Sequence, residues 1–314
     1  MRIAVMGTGG VGGYFGARLA AAGLDVAVIA RGRHLAAIRE SGLRLASPKG
    51  DALIRPARAT DDPAEIGPVD VVLFATKLWD VEGAGALCQP LLGPDTAVLS
   101  LLNGIDSEER LLPILGAAHV AGGVAYISAT IAEPGLIRHF AMTPAIAFGE
   151  LDGRPSPRLE AFHAAAIGAG IDARLSRDIW GLIWGKFIFL AAMAGVTALT
   201  RQPIGPIRED ADMRRLLADA VAEAIAVADA KGVAHGTDQG KLMQMLDGLV
   251  PGTKSSMLMD LEKGNRLEVA WLSGAVVKAG EAAGVAIPVH RVIAAALKPF
   301  ALGALAAGRG GPNP

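Results

Sequence analysis

Only one cysteine, Cys88, occurs among 314 residues, so the chain forms no internal disulfide and no cysteine-rich metal cluster, which suits a reducing compartment. Aromatic residues are scarce at 4%, and no run of lysine and arginine is interleaved with them, which removes the stacking platform and basic stripe of a nucleic-acid binder. Charge is balanced, with a formal net of −1, so no strongly charged partner is indicated. No internal repeat is evident, and no resident metal is expected. A secretory signal is lacking as well: Met1 leads directly into an apolar strand, and the expected location is cytoplasmic. One apolar run, residues 179–199, reaches membrane-spanning length, but Lys186 stands near its middle, where a charge costs about 3 kcal/mol at a bilayer centre. It reads as the central helix of a soluble domain.

What is present is 52% hydrophobic residues in a length that predicts two domains. The first 31 residues, MRIAVMGTGGVGGYFGARLAAAGLDVAVIAR, read as strand, glycine turn, helix and second strand. The uninterrupted apolar run around Ile3 and Val5 suits a parallel strand covered on both faces. It runs at once into Gly7-Thr8-Gly9-Gly10-Val11-Gly12, a G-x-G-x-x-G pattern. The first glycine permits the tight turn, the second lets a pyrophosphate approach the backbone, and the third allows close helix–strand packing. The helix from Val11 to about Ala22 then aims its free N–H groups at that phosphate. In a chain with 40 glycines the pattern alone carries little weight; its place between a strand and a helix, with a second strand at 26–30, makes it a dinucleotide site.

The end of the second strand bears on which dinucleotide. An NAD site expects an acid there for the ribose hydroxyls, whereas this chain has Arg31, with Arg33 and His34 beside it. A cation suits a 2′-phosphate, so NADP is favoured over NAD and FAD; the alternative is that Arg31 is simply an exposed loop residue.

Residues 42–59 read as two short strands around a Pro-Lys-Gly-Asp turn, decorating the parallel sheet. The next buried strand, 69–75, ends in Thr76-Lys77, where ligands bind in open α/β sheets. Lys77 is therefore either a contact for phosphate or carboxylate or a solvated loop lysine. Strand 97–102 is followed by Asn103-Gly104 and a helix from about Ser107 with Glu108 and Glu109 in its first turn. Asn103 either binds nicotinamide ribose or substrate, or belongs to a plain Asn-Gly turn. Further strands fall at 120–127, 135–140 and 145–151, and a helix at 156–169.

Beyond Arg174 long helical stretches take over, near 178–199, 209–231, 238–248, 255–282 and 288–307. The expected organisation is α/β, with a nucleotide-binding domain over 1–174, a helical domain over 175–307 and a disordered tail at 308–314. An apolar helical domain is compatible with a homodimer. Lys186 lies in IWGLIWGKFIFLAAMAG, where apolar neighbours would desolvate the amine and lower its pKa toward the range useful for proton transfer. Alternatively its stem packs and its head reaches solvent. In SSMLMDLEKGNRLEVAWLSG, residues 255–274, a single helix would bring Ser256, Asp260 and Glu268 to broadly one face, with Ser255 available as N-cap. Glu268 is then a partnered core charge or a site residue.

Over nearly its whole length the chain resembles the ketopantoate reductase family. The motifs are GTGGVG, Arg31, Thr76-Lys77, Asn103-Gly104, Trp184-Gly185-Lys186, Ser255-Ser256-Met257, and Glu268 with Gly274. The resemblance implies a Rossmann domain followed by a helical domain like that of 6-phosphogluconate dehydrogenases, with the site in the cleft between them. It also implies NADPH-dependent reduction of a 2-oxo acid, with Lys186 as proton donor, Glu268 as an acid contacting ribose and lysine, and Ser256 and Asn103 as substrate contacts. The family pattern has asparagines one and two turns after the lysine and another farther on; here Leu190, Ala194 and Ile204 stand in those places. The cofactor side is kept and the substrate side altered, so the expected reaction is of the kind that takes ketopantoate to pantoate in the pantothenate pathway, with a different, bulkier or less hydroxylated 2-oxo acid as the alternative. The same residues serve oxidation of a hydroxy acid, and the rival from another class is a non-catalytic NADP(H)-binding sensor.

Overall fold

The computed structural model describes residues 1–55, 57–140 and 143–303. The chain divides into two units, one comprising Met1–Leu102 and Asp106–Ile179, the other Asn103–Ile105 and Trp180 onward.

The first unit opens with β1 (Arg2–Met6), α1 (Gly10–Ala21), β2 (Asp25–Ile29) and α2 (Gly32–Ser41). Then come β3 (Leu43–Ala46), β4 (Ala52–Ile54), β5 (Arg58–Thr60), β6 (Val69–Phe74), α3 (Val81–Leu87) and β7 (Leu92–Ser100). It continues through α4 (Ser107–Leu115), β8 (Val120–Tyr126), β9 (Ala129–Glu133), β10 (Leu136–His139), β11 (Ala145–Glu150), α5 (Pro157–Gly168) and β12 (Asp172–Leu175). Eight strands form one sheet in the order β12-β11-β8-β7-β6-β1-β2-β5, parallel throughout except where β11 meets β8. The near-continuous apolar strands are what a sheet covered on both faces requires: Ile3, Ala4, Val5 and Met6 are all buried, as are Val71, Val72, Leu73 and Phe74. Because β1 is flanked by β2 on one side and β6 on the other, the chain reverses direction of travel across the sheet there. Ligands of such sheets bind at that point, beyond the carboxyl ends of the strands.

Three expectations change. The strands within 42–59 do pair, but β3 and β4 belong with β10 and β9 in a separate four-stranded sheet, and only β5 joins the large one. That small sheet lies on α1, where a β-carbon at Gly13 would come within 2.6 Å of the Ile137 side chain. Second, a division at 174/175 would cut β12, which pairs with β11 and so stays with the sheet; the unit ends at Ile179.

Third, the helical stretch expected at 255–282 is two helices. The second unit holds α6 (Ile179–Thr200, entering from the first unit's last residue), α7 (Ile204–Glu209), α8 (Ala211–Ala230), α9 (Gln239–Asp247), α10 (Ser256–Glu262), α11 (Ser273–Ala283) and α12 (Pro288–Leu297). Gly264, at φ +67°, ends α10: its N–H bonds to Leu261 O at 3.1 Å and the Asn265 N–H to Asp260 O at 2.8 Å. This left-handed closure stops the helix, so Glu268 reaches its place from the irregular stretch after α10 and not from the helix of Ser256. The tail expected at 308–314, and 304–307 of the last expected helix, lie outside the described residues.

The apolar α6 runs through the core of the second unit, packed with Val221, Val276 and Ile293. It is long and apolar enough to cross a membrane, yet 67% of its most apolar window is buried inside the protein. Glu223 on α8 is 8% exposed and accepts from the first amides of α12, Val289 N at 2.7 Å and His290 N at 2.9 Å. The His290 imidazole bonds to Ala220 O at 2.9 Å, and burial pushes its pKa down to about 4, so it is neutral. Each buried donor left without an acceptor costs about 1–3 kcal/mol, so Glu223→Ala is expected to lower the thermal midpoint by roughly 4–12 °C in calorimetry.

Candidate active site

The glycine turn leaves the carboxyl end of β1, and its positions divide the work. Gly7 has φ +97°, and a β-carbon there would lie 2.7 Å from Ala75 O; one on Gly12 would overlap Gly7 O and come within 2.8 Å of Val5 Cγ1. One on Gly10 would overlap Ala129 O, whereas one on Gly9 would meet nothing within 4 Å. Gly9 is the N-cap of α1, and neither a side-chain cap nor an acid satisfies that helix's first turn. Free amides on a twelve-residue helix, open space over Gly9 and β1 at the reversal point fit a pyrophosphate.

Thr8 is pinned, its N–H and Oγ1 donating to Ile29 O at 3.1 and 2.8 Å. Arg31, the N-cap of α2 just beyond β2, is exposed, and no partner holds its guanidinium among the described residues. Arg33 is exposed too, but His34 is not a third free cation: its ring bonds to Thr8 O at 2.9 Å and to Gly135 N at 3.0 Å. Lys77, just past β6, is half-buried with its amine 5.5 Å from the centre of the Trp79 ring. The glycine turn, Arg31 and Lys77 thus sit at the carboxyl ends of three adjacent strands.

In the second unit Lys186 donates from Nζ to Asn103 Oδ1 at 2.8 Å. Of the two positions open to its head group, solvent or a partner, the amine takes the partner. Burial pushes its pKa down to about 8, with the charge of Glu268 acting the other way. Asn103 spends its carbonyl on the lysine and keeps Nδ2 as a donor. Its loop is short and braced: the hydroxyls of Ser100 and Ser107 meet at 2.8 Å, and Ser107 donates to Glu108 at 2.9 Å. Glu108 is 1% exposed, and burial pushes its pKa up to about 7 against the Ser107 bond. Nothing in the sequence distinguished this acid from Glu109, which is exposed.

Ser255 is the N-cap of α10, accepting from Leu258 N at 3.0 Å, and its hydroxyl meets Thr197 Oγ1 on α6 at 2.7 Å. Ser256, the next residue, is exposed at the start of that helix. Asp260 is occupied with Asn265 Nδ2 at 3.0 Å. The structure therefore brings together Lys186, Asn103 and Glu268, and anchors the helix of Ser256 to that of Lys186. From Phe187 to Val196, α6 carries no polar side chain; Leu190 is half-buried, and Ala194 and Ile204 are fully buried. Among the described residues no cluster of His, Cys, Asp and Glu could hold a metal.

A model of the family described as ketopantoate reductase PanE/ApbA matches residues 3–153, and its C-terminal counterpart matches 178–301. A 2-dehydropantoate 2-reductase of Mesorhizobium japonicum is 32% identical over 301 residues, covering 89% of this chain and 91% of its own. The crystal structure of a PanE/ApbA family ketopantoate reductase from Ralstonia eutropha superposes with a TM-score of 0.88 at 32% identity, covering 96% of this chain and 98% of the other. A D-mandelate dehydrogenase solved with NADH and anilino(oxo)acetate has a TM-score of 0.87 at 22% identity, over 96% of this chain and 98% of the other, a likeness of fold.

Proposed function

The chain belongs to the ketopantoate reductase family, oxidoreductases acting on a CH–OH group, and from that premise we propose that it reduces a 2-oxo acid to the 2-hydroxy acid with NADPH. The observation that carries the reading is Lys186: an amine held by Asn103, flanked by apolar helix, with a pKa of about 8. When bound, NADPH supplies the hydride for the ketone carbon. Gly9 and the first amides of α1 hold its pyrophosphate, Arg31 pairs with the 2′-phosphate, and Lys77 adds a cation at the same strand ends. Lys186 gives a proton from Nζ to the oxygen of the reduced carbonyl, and Asn103 aims that amine while its Nδ2 donates to the substrate. Glu268 balances the charge of the ammonium and so keeps the proton available at neutral pH. Ser256 is a substrate contact at the start of α10.

The substrate is a 2-oxo acid whose side chain is apolar. Leu190 and Ala194, one and two turns beyond Lys186, offer no hydrogen bond to a substrate hydroxyl, and Thr197 is spent on Met193 O at 2.7 Å and on Ser255. Loss of such a partner typically reduces kcat/KM for the hydroxylated substrate by roughly 10–100-fold. The test is absorbance-monitored oxidation of NADPH against a panel of 2-oxo acids that includes ketopantoate and branched and aromatic members. Turnover is expected, with apolar members exceeding ketopantoate in kcat/KM. Binding of NADPH with no turnover of any member would leave a nucleotide sensor instead, and ketopantoate ranking first would refute the substrate reading alone.

A further inference from the structure

We infer that Thr197 is a positioning residue for the substrate: its buried hydroxyl, accepting a hydrogen bond from Ser255, fixes the start of α10 on α6 and so sets where Ser256 meets the 2-oxo acid. This rests on the reading of Ser256 as a substrate contact.

The direction of each bond follows from what the partners can do. Met193 O can only accept, and it lies 2.7 Å from Thr197 Oγ1, so the threonine proton goes there. Between the two hydroxyls, 2.7 Å apart, the donor is therefore Ser255. Ser255 Oγ in turn accepts from Leu258 N at 3.0 Å, which caps α10. Thr197 is wholly buried and Ser255 nearly so, and water replaces none of these bonds. The chain runs from the Leu258 amide through both hydroxyls to the backbone of α6.

α10 has only seven residues and needs such an anchor. Met257 and Leu258 are buried, but apolar contact is non-directional and leaves a short helix free to turn or slide. The strand of chain leading into α10 is held from the same side. Thr253 O accepts from Ile204 N at 3.0 Å and Pro251 O from Gly205 N at 2.8 Å, and Arg208 Nη1 donates to Leu249 O at 2.7 Å. The fit is close, since a β-carbon on Gly205 would lie 2.9 Å from Pro251 O. The Thr197–Ser255 bond is the tie nearest Ser256 and the one made by two side chains. Because α6 also carries Lys186, one helix sets the proton donor and, through this tie, the contact on α10.

The test is steady-state oxidation of NADPH with the 2-oxo acid turned over best, on the wild type, Thr197→Val, Thr197→Ser, Ser255→Gly and Ser256→Ala. Valine keeps the shape and removes the acceptor; glycine at 255 keeps most of the cap and removes the donor. Thr197→Val should raise KM for the acid roughly 5–20-fold with kcat within about threefold, and Thr197→Ser should stay within about twofold of the wild type. Ser255→Gly should reproduce the rise in KM. On the Ser256→Ala background Thr197→Val should add less than about twofold, because the group it positions is gone. The fall of kcat near pH 8, which belongs to Lys186, should not move. A purely structural role would cost the same factor with and without Ser256, and that result would overturn the inference, as would a shift of the limb near pH 8. Should Thr197→Val fail to fold, an unchanged KM in Ser255→Gly would overturn it equally. An unchanged KM in Ser256→Ala would instead remove Ser256 as a substrate contact, and the inference with it.

Discussion

Lys186→Ala is expected to lower kcat for 2-oxo acid reduction by roughly 10²–10⁴-fold, the range for loss of a positioned general acid, while Kd for NADPH stays within about threefold. The effect belongs on kcat because the proton is needed only as negative charge develops on the carbonyl oxygen. Unchanged turnover would reject the role. The wild-type pH profile supplies a second check. Lys186 must be protonated to act as an acid, and burial brings its pKa to about 8, so reduction should fall as pH rises through that value and oxidation of the hydroxy acid should rise there. Glu268→Gln removes the charge that raises this pKa, which should move both limbs to lower pH.

Arg31→Ala should weaken NADPH binding by roughly 10–100-fold, the worth of a charge-assisted hydrogen bond to phosphate, and leave NADH within about threefold. The guanidinium is exposed at the end of β2 and has no partner among the described residues, so its removal leaves nothing unpaired behind and the readout is recognition alone. Equal losses for the two coenzymes would show that Arg31 does not read the 2′-phosphate.

The opening unit was legible because its signals are local: an apolar strand, glycines at fixed spacing and a helix within a few residues, with no distant partner needed to decide them. Lys186 announced itself for the same reason, as one charge in an apolar helix. What the sequence concealed lies in pairings across long separations. Asn103 and Lys186 are 83 residues apart, and His34 and Gly135 are 101 apart. The small sheet joins β3 to β10 across a similar distance, so its strands looked like ornaments on the large one. The break after α10 was concealed differently, since Gly264 is tolerable inside a helical pattern and becomes a stop only through the left-handed turn it adopts. Glu108 resembled its neighbour until burial separated them.

The four glycines of the opening motif do not answer to the same constraint, and this bears on how relatives with diverged chemistry are to be judged. Gly7, Gly10 and Gly12 are demanded by surrounding backbone and would persist in a descendant that had abandoned catalysis altogether, merely to keep the protein foldable. Gly9 has no neighbour to satisfy. In such a lineage it is the position free to acquire a side chain without disturbing the fold.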